Sequence, residues 1–211
     1  TPLTVVGGFL ETLSEMPQVE DATLRQFLPM MLEQSRRMHS LVEDLLTLSR
    51  IENGPRTMLQ DRVHMAALLD TMVVEAEGLS QGRHRIVVKN TCPHDLWGNA
   101  QELHSAFGNL VSNAVRYTPE GGSIYLRWTQ DDEGRVAFTV ADTGIGIPRE
   151  HLPRLTERFY RVDRGRSRGN GGTGLGLAIV KHVLARHHAK LDIQSEPDKG
   201  SVFSVIFNAE Q

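Results

Sequence analysis

Residues 102–118 read ELHSAFGNLVSNAVRYT, and the reading of this stretch decides the fold. At about 100° per residue, Leu103, Phe107, Leu110, Val111 and Ala114 fall on one face of a helix. Glu102, Asn109, Asn113 and Arg116 form a narrow stripe roughly 140° away on the same helix. Asparagine is a mediocre helix former because its amide competes with the backbone for hydrogen bonds. Two asparagines at i and i+4, in line with a carboxylate and a guanidinium, therefore ask for a reason. A neutral amide oxygen suits Mg²⁺ that already carries phosphate oxygens, and a guanidinium one turn on pairs with phosphate. An ordinary polar helix face has the same pattern, so this helix alone leaves both readings open.

The flanking sequence places the helix in a mixed fold. Val63 to Gly78 reads as a helix and Arg85 to Lys89 as a short strand. Gln101 to Tyr117 is the helix already described. Ser123 to Thr129 and Arg135 to Ala141 alternate like two paired strands, joined by the turn Asp131-Asp132-Glu133-Gly134. Leu175 to Arg186 reads as another helix, and Lys190 to Gln194 with Ser201 to Phe207 as two further strands. Hairpin strands with helices between them predict an α/β sandwich, one sheet covered on one face.

The N-terminal part is different in character. Leu3, Val6, Leu10 and Leu13 follow a helical stripe, which the polar stretch around Pro17 breaks. A second helix is predicted from Asp21, a plausible N-cap, to about Asn53-Gly54-Pro55, a strong stop signal. Leu24, Leu28, Met31, Met38, Val42 and Leu45 follow a heptad, widened by Phe27, Leu41 and Leu48. Pro29 is expected to kink this helix or displace its start. Two helices with faces this wide cannot bury them on each other alone. Pairing of the hairpin with a second copy into a four-helix bundle solves that, and packing on the chain's own second domain is the alternative. The fold class expected is α+β, with a hairpin over 1–54 and a sandwich domain over 60–211.

Composition narrows the function. Net charge is −3 and pI about 6.3, which gives no electrostatic case for nucleic acid. No apolar run approaches the roughly 18 residues needed to cross a bilayer, and no secretory leader stands out. A soluble, cytosolic piece is the expectation. The one cysteine, Cys92, excludes an internal disulfide and reads as a small semi-buried residue.

Two more segments carry chemistry. In VADTGIGIP a strand ends at Ala141, Asp142 follows, and Gly144 and Gly146 free the backbone for close approach to a ligand. A carboxylate on a pocket floor accepts a hydrogen bond from an exocyclic amine such as that of adenine. In RGNGGTGLGLAIVKHV, Gly169, Gly171, Gly172, Gly174 and Gly176 precede and enter a helix. Such a loop folds its amides around phosphates. It lacks the Lys-Ser/Thr pair of a P-loop and does not follow a strand as a dinucleotide fingerprint does. Before it lie Arg158, Arg161, Arg164, Arg166 and Arg168. A charge run of this kind suits a solvated face, or closure over a triphosphate.

In this order and spacing, Asn109/Asn113, Asp142-x-Gly144-x-Gly146, Arg158-Phe159-Tyr160 and Gly172-Thr173-Gly174-Leu175-Gly176 resemble the N, G1, F and G2 boxes of sensor histidine kinases. That family belongs to the ATPase superfamily of gyrase, Hsp90 and MutL. LVEDLLTLSRIENG resembles the end of the family's second dimerisation helix, and TPLT the tail of its H box. RLTERFYRVDRGRSR with GGTGLGLAIVKH is similar to the phosphate-regulon branch of the family.

The resemblance implies roles. Asn113, with Asn109, would hold Mg²⁺ on the ATP phosphates. Arg116, Arg158 and Arg161 would lie on the phosphate side, Tyr117 would line the adenine, and Asp142 would accept from its amino group. Gly144 and Gly146 would shape the adenine loop, and Gly172, Thr173, Gly174, Leu175 and Gly176 would end the lid. Hydrolytic members of the superfamily carry a glutamate one turn before the magnesium asparagine. Here that position is Asn109, and an amide is not a general base. The site therefore suits holding ATP for an external nucleophile, with catalysis by positioning and charge neutralisation.

By the same resemblance the nucleophile is a histidine four residues before Thr1, and none of the nine histidines present takes its place. Thr1 would help position the water that dephosphorylates a partner. The implied protein is a homodimeric kinase that autophosphorylates from Mg-ATP and exchanges phosphoryl with the aspartate of a PhoB-like response regulator in phosphate-starvation signalling. It would be the cytoplasmic part of a bacterial inner-membrane protein, reaching the membrane only through upstream segments. A hydrolytic ATPase of the gyrase/Hsp90 kind and a non-catalytic dimerisation module remain the alternatives.

Overall fold

The computed structural model describes residues 2–16, 18–54, 61–162 and 172–208, so Thr1, Arg164, Arg166, Arg168, Gly169 and Gly171 lie outside the described residues. The chain divides into two compact units, one of residues 1–47 with 163–173, the other of 48–162 with 174–211.

In the first unit, helix α1 spans Pro2–Glu15, and helix α2 spans Asp21–Asn53 and ends in the second unit. Phe9 and Phe27 bring the two helices together, ring centroids 4.7 Å apart. The start of α2 is not displaced by Pro29, as the helix runs through it from Asp21. A proline there has no N–H for the carbonyl four residues back, a bond the helix forgoes. No residue of α1 is buried, and Leu3, Leu10, Leu28, Val42 and Leu45 are exposed. Val6, Leu13, Leu24, Phe27, Met31, Met38 and Leu41 are half-buried, so among the described residues the apolar stripes of the hairpin are covered only in part.

In the second unit a five-stranded sheet carries the fold. Its strands are β2 (Arg85–Asn90), β4 (Ser123–Gln130), β5 (Val136–Asp142), β6 (Lys190–Glu196) and β7 (Gly200–Phe207), in the order β2-β4-β5-β7-β6. β2 and β4 are parallel and the other pairs antiparallel. Helices α3 (Met65–Ser80), α4 (Ala100–Tyr117) and α5 (Gly176–Arg186) supply the second layer, in agreement with the expected sandwich.

Strict alternation buries Ile124, Leu126 and Trp128 of β4 and Val136, Phe138 and Val140 of β5, with Phe203, Val205 and Phe207 of β7. Phe107 of α4 stacks on Phe138 at 4.1 Å. Trp128 meets Phe207 edge-on and donates its indole N–H to the His94 carbonyl at 3.0 Å. Cys92 is buried, deeper than the sequence suggested.

A small antiparallel pair, β1 (Asp61–Val63) and β3 (Leu96–Gly98), was not foreshadowed by the sequence pattern. It also moves the start of α3 from Val63 to Met65. Asp95 accepts the Met65 N–H at 3.0 Å and contacts Arg62 and His64 at 2.9 Å. Burial pushes the Asp95 carboxyl up, but these three partners together hold it below its ordinary value. Among the described residues no helix is long and apolar enough to cross a membrane.

Candidate functional site

α4 is anchored at both ends. Its N-cap, Asn99, accepts the Glu102 N–H at 3.0 Å, and the Asn99 N–H donates to His187 Nε2 at 3.0 Å. His187 in turn directs Nδ1 at the Val183 carbonyl, 2.9 Å away, so it is a neutral imidazole with the proton on Nδ1. Burial lowers its pKa, which agrees with that state. Leu103, Phe107, Leu110, Val111 and Ala114 are buried, as the stripe predicts. Asn109 and Asn113 are half-buried on the other side, and Arg116 is exposed.

Asn109 donates from Nδ2 to the Ser105 carbonyl at 2.9 Å, one turn back on its own helix. That bond assigns Oδ1 to the outward end of the amide. Oδ1 abuts Gly176, the first residue of α5, where a Cβ would overlap it. Glycine there permits the close approach of α4 and α5, which Arg186 reinforces by donating to Glu102 at 3.1 Å.

Asp142 is the last residue of β5, paired with Ile124 of β4 and Ser201 of β7. It is 9% exposed, and its Oδ1 accepts the Gly144 N–H at 2.8 Å. Burial raises its pKa above the ordinary value, and hydrogen bonds from the Gly144 and Ser201 backbones oppose the rise. The loop after it is gripped from two sides. Ile145 donates its N–H to the Tyr117 carbonyl at 3.1 Å, at the end of α4. Ile145 accepts from the Asp198 N–H at 2.8 Å, and the Ile147 N–H donates to Ser195 Oγ at 2.8 Å. Side chains at Gly144 or Gly146 would run into the backbone of Tyr117 or Glu196, and Gly146 has φ +64°. The glycines are thus required by packing as well as by access to a ligand.

The third part is a turn of opposed residues. The Phe159 N–H donates to the Gly174 carbonyl at 2.8 Å. Tyr160 is fixed by its hydroxyl, 2.7 Å from His151 Nδ1, and by Arg154 over its ring at 4.3 Å. Leu175 is fully buried and starts the hydrogen bonding of α5 by accepting from Ile179. Arg158 pairs with Glu52, a partner the sequence did not suggest, and Arg161 is half-buried. Gly172 and Thr173 group with the first unit, where the Thr173 hydroxyl donates to Asp44 at 2.6 Å.

In the second unit α4 therefore touches the Asp142 loop at Tyr117 and the α5 glycine at Asn109. Residues that sequence reasoning passed over are Ser201 and Ser195, which brace the Asp142 loop, and Glu52. Among the described residues no group of His, Cys, Asp and Glu is arranged to hold a metal ion by itself.

Comparison with known proteins supports a single family. A model of histidine kinase-, DNA gyrase B- and HSP90-like ATPases matches residues 98–211, and one of the His Kinase A (phospho-acceptor) domain matches residues 1–54. The phosphate regulon sensor protein PhoR of Pseudomonas aeruginosa is 50% identical over 214 residues, which is 100% of this chain and 48% of that protein. PhoR of Haemophilus influenzae is 37% identical, covering 98% of the chain and again 48% of the relative. The chain thus spans about half the length of these curated relatives.

Among solved structures, the mycobacterial sensor histidine kinase MprB superposes with a TM-score of 0.63 at 29% identity, covering 70% of this chain and 97% of that one. The Acinetobacter baumannii histidine kinase AdeS gives 0.73 over 100% of this chain and 96% of that one, a likeness of fold at 21% identity. The His Kinase A match also separates the chain from the gyrase and Hsp90 branches. With a phospho-acceptor-type helical hairpin followed by an ATPase-type sandwich, the chain belongs to the sensor histidine kinase family.

Proposed function

We propose that residues 1–54 form the dimerisation and phosphotransfer hairpin and residues 60–211 the catalytic domain that holds Mg-ATP. The observation that supports this reading is the position of α4, whose Tyr117 carbonyl holds the Asp142 loop and whose Asn109 abuts the first residue of α5. Asp142 accepts from the adenine amino group, and Tyr117, Gly144 and Gly146 line the base. Gly174, Leu175 and Gly176 turn backbone amides toward the phosphates, with Arg116 and Arg161 contributing on that side.

The donor set fits magnesium on a nucleotide. It offers neutral amide oxygens from Asn113 and Asn109 and no carboxylate cluster, so phosphate oxygens must supply the anionic ligands. When bound, the ion neutralises charge on the phosphates. The protein's own residues orient the γ-phosphoryl and present it to a histidine imidazole. Asn109 cannot abstract a proton from water, which favours transfer over hydrolysis.

In the whole protein the nucleophile belongs to the first helix, and α1 as described carries no histidine. The exposed stripes of α1 and α2 suit a homodimeric bundle. The phosphoryl passes from there to the aspartate of a PhoB-like response regulator in phosphate signalling, and Thr1 serves the reverse reaction. In this reading the chain is the cytoplasmic part of an inner-membrane sensor.

Incubation of the 211-residue chain with γ-labelled ATP tests the assignment. Nucleotide binding without an acid-labile labelled band is expected. A labelled band would show that another histidine accepts phosphate, and rapid release of phosphate would revive the hydrolytic alternative.

A further inference from the structure

The last turns of α2, from Leu48 onward, belong to the second unit, where Leu48 and Ile51 are buried. The Ile51 carbonyl accepts from Arg186 Nη1 at 3.0 Å. The next residue, Glu52, uses one carboxylate oxygen twice. Its Oε1 accepts from Arg158 Nη2 and lies 3.1 Å from His182 Nε2. These partners come from the two segments that flank the glycine turn. Arg158 directly precedes Phe159, on whose backbone Gly174 rests, and His182 is on the helix that Gly176 begins.

Phe159 has φ +61°, a conformation that a bulky residue keeps only where its surroundings over-determine it. The Gly174 carbonyl fixes its N–H on one side, and the Arg158–Glu52 pair fixes the residue before it on the other. We infer that Glu52 is a positioning residue for the phosphate side of the nucleotide site: it holds Arg158, and through Arg158 the Phe159 backbone against which Gly174 is seated. The inference rests on the reading of the nucleotide site given above, and it assigns Arg158 to the framework of the site instead of to phosphate contact.

Titration of the 211-residue chain with adenosine and with the Mg²⁺ complex of a non-hydrolysable ATP analogue tests this. Glu52→Gln keeps the size and helix propensity of the side chain and removes its charge. It is expected to weaken the analogue about three- to fivefold while leaving adenosine, held through Asp142, unchanged. Arg158→Gln should do the same, and the double variant should be no weaker than either single one.

Unchanged affinity for the analogue in Glu52→Gln would overturn the inference, and so would a parallel loss of adenosine, which signals general damage. A double variant weaker than both singles would mean that Glu52 and Arg158 act independently, which also overturns the inference. Should the parent chain bind neither ligand, the reading of the site falls and the inference with it. If the parent binds both and Glu52→Gln is indistinguishable from it, the inference alone falls.

Discussion

The N–H of Phe159 donates to the carbonyl of Gly174 at 2.8 Å, and both residues have positive φ, 61° and 77°. Each therefore holds the other in a conformation that an ordinary residue avoids. Replacing Gly174 by alanine adds about 1–2 kcal/mol of backbone strain. Its Cβ would also lie 2.9 Å from the Phe159 backbone. Gly174→Ala is expected to weaken the Mg-analogue about tenfold or more, with little effect on adenosine, in the same titration.

Asp142 is a buried carboxylate whose pKa is raised, chiefly by burial. The folded chain thus binds this proton more tightly than the unfolded one. Its stability contribution is fully present below the ordinary value of 3.8 and is lost as pH rises through the folded pKa. Asp142→Asn removes that loss while keeping the shape. At neutral pH the variant should unfold at the same or a higher urea concentration than the parent, yet lose adenosine affinity by about tenfold or more. Urea titrations from about pH 4 to 7 should show the gap opening as pH rises.

His187 behaves in the opposite sense. Burial lowers its pKa below the ordinary 6.5, so the unfolded chain takes up the proton first. The contribution is fully present above 6.5 and is lost as pH falls toward the folded pKa. His187→Leu leaves the Asn99 N–H at the start of α4 without its acceptor, a cost of about 1–3 kcal/mol. The variant should melt lower than the parent at pH about 7.5, and this gap should narrow on acidification.

The stacked pair Phe107–Phe138 lies at the centre of the layer between α4 and the sheet, and both rings are fully buried. Phe138→Ala removes one ring and leaves a cavity, which costs about 3–5 kcal/mol. Chemical denaturation followed by far-UV circular dichroism should show the loss. Nucleotide affinity measured well below the new midpoint should change far less, since neither ring lines the site.

The parts of the fold that were legible in sequence are those with a local period. The apolar face of α4 and the alternation of β4, β5 and β7 placed these elements to within a residue or two. The strands β1 and β3 were not legible, because three residues are too few to show a period and their pairing spans the whole of α3 and β2. Asp95 looked like a loop residue, yet its hold on the Met65 N–H sets where α3 begins. Asp142 and its glycines were readable as a motif, whereas the Ser195 and Ser201 groups that brace them come from strands β6 and β7. The partner of Arg158 lies 106 residues away along the chain, a distance no spacing rule spans.

β7 lies between β5 and β6, although it is the last strand in the chain order. During synthesis β4 and β5 can form their hairpin early, but one side of β5 stays unpaired until residues 200–207 have left the ribosome. The Ser201 backbone that supports Asp142 arrives at the same moment. The nascent second unit therefore keeps one edge of β5 open, and Asp142 without its Ser201 support, from the completion of β5 until β7 is made. Non-local pairing of this kind is slow, and an open strand edge exposes the intermediate to misassociation throughout that interval.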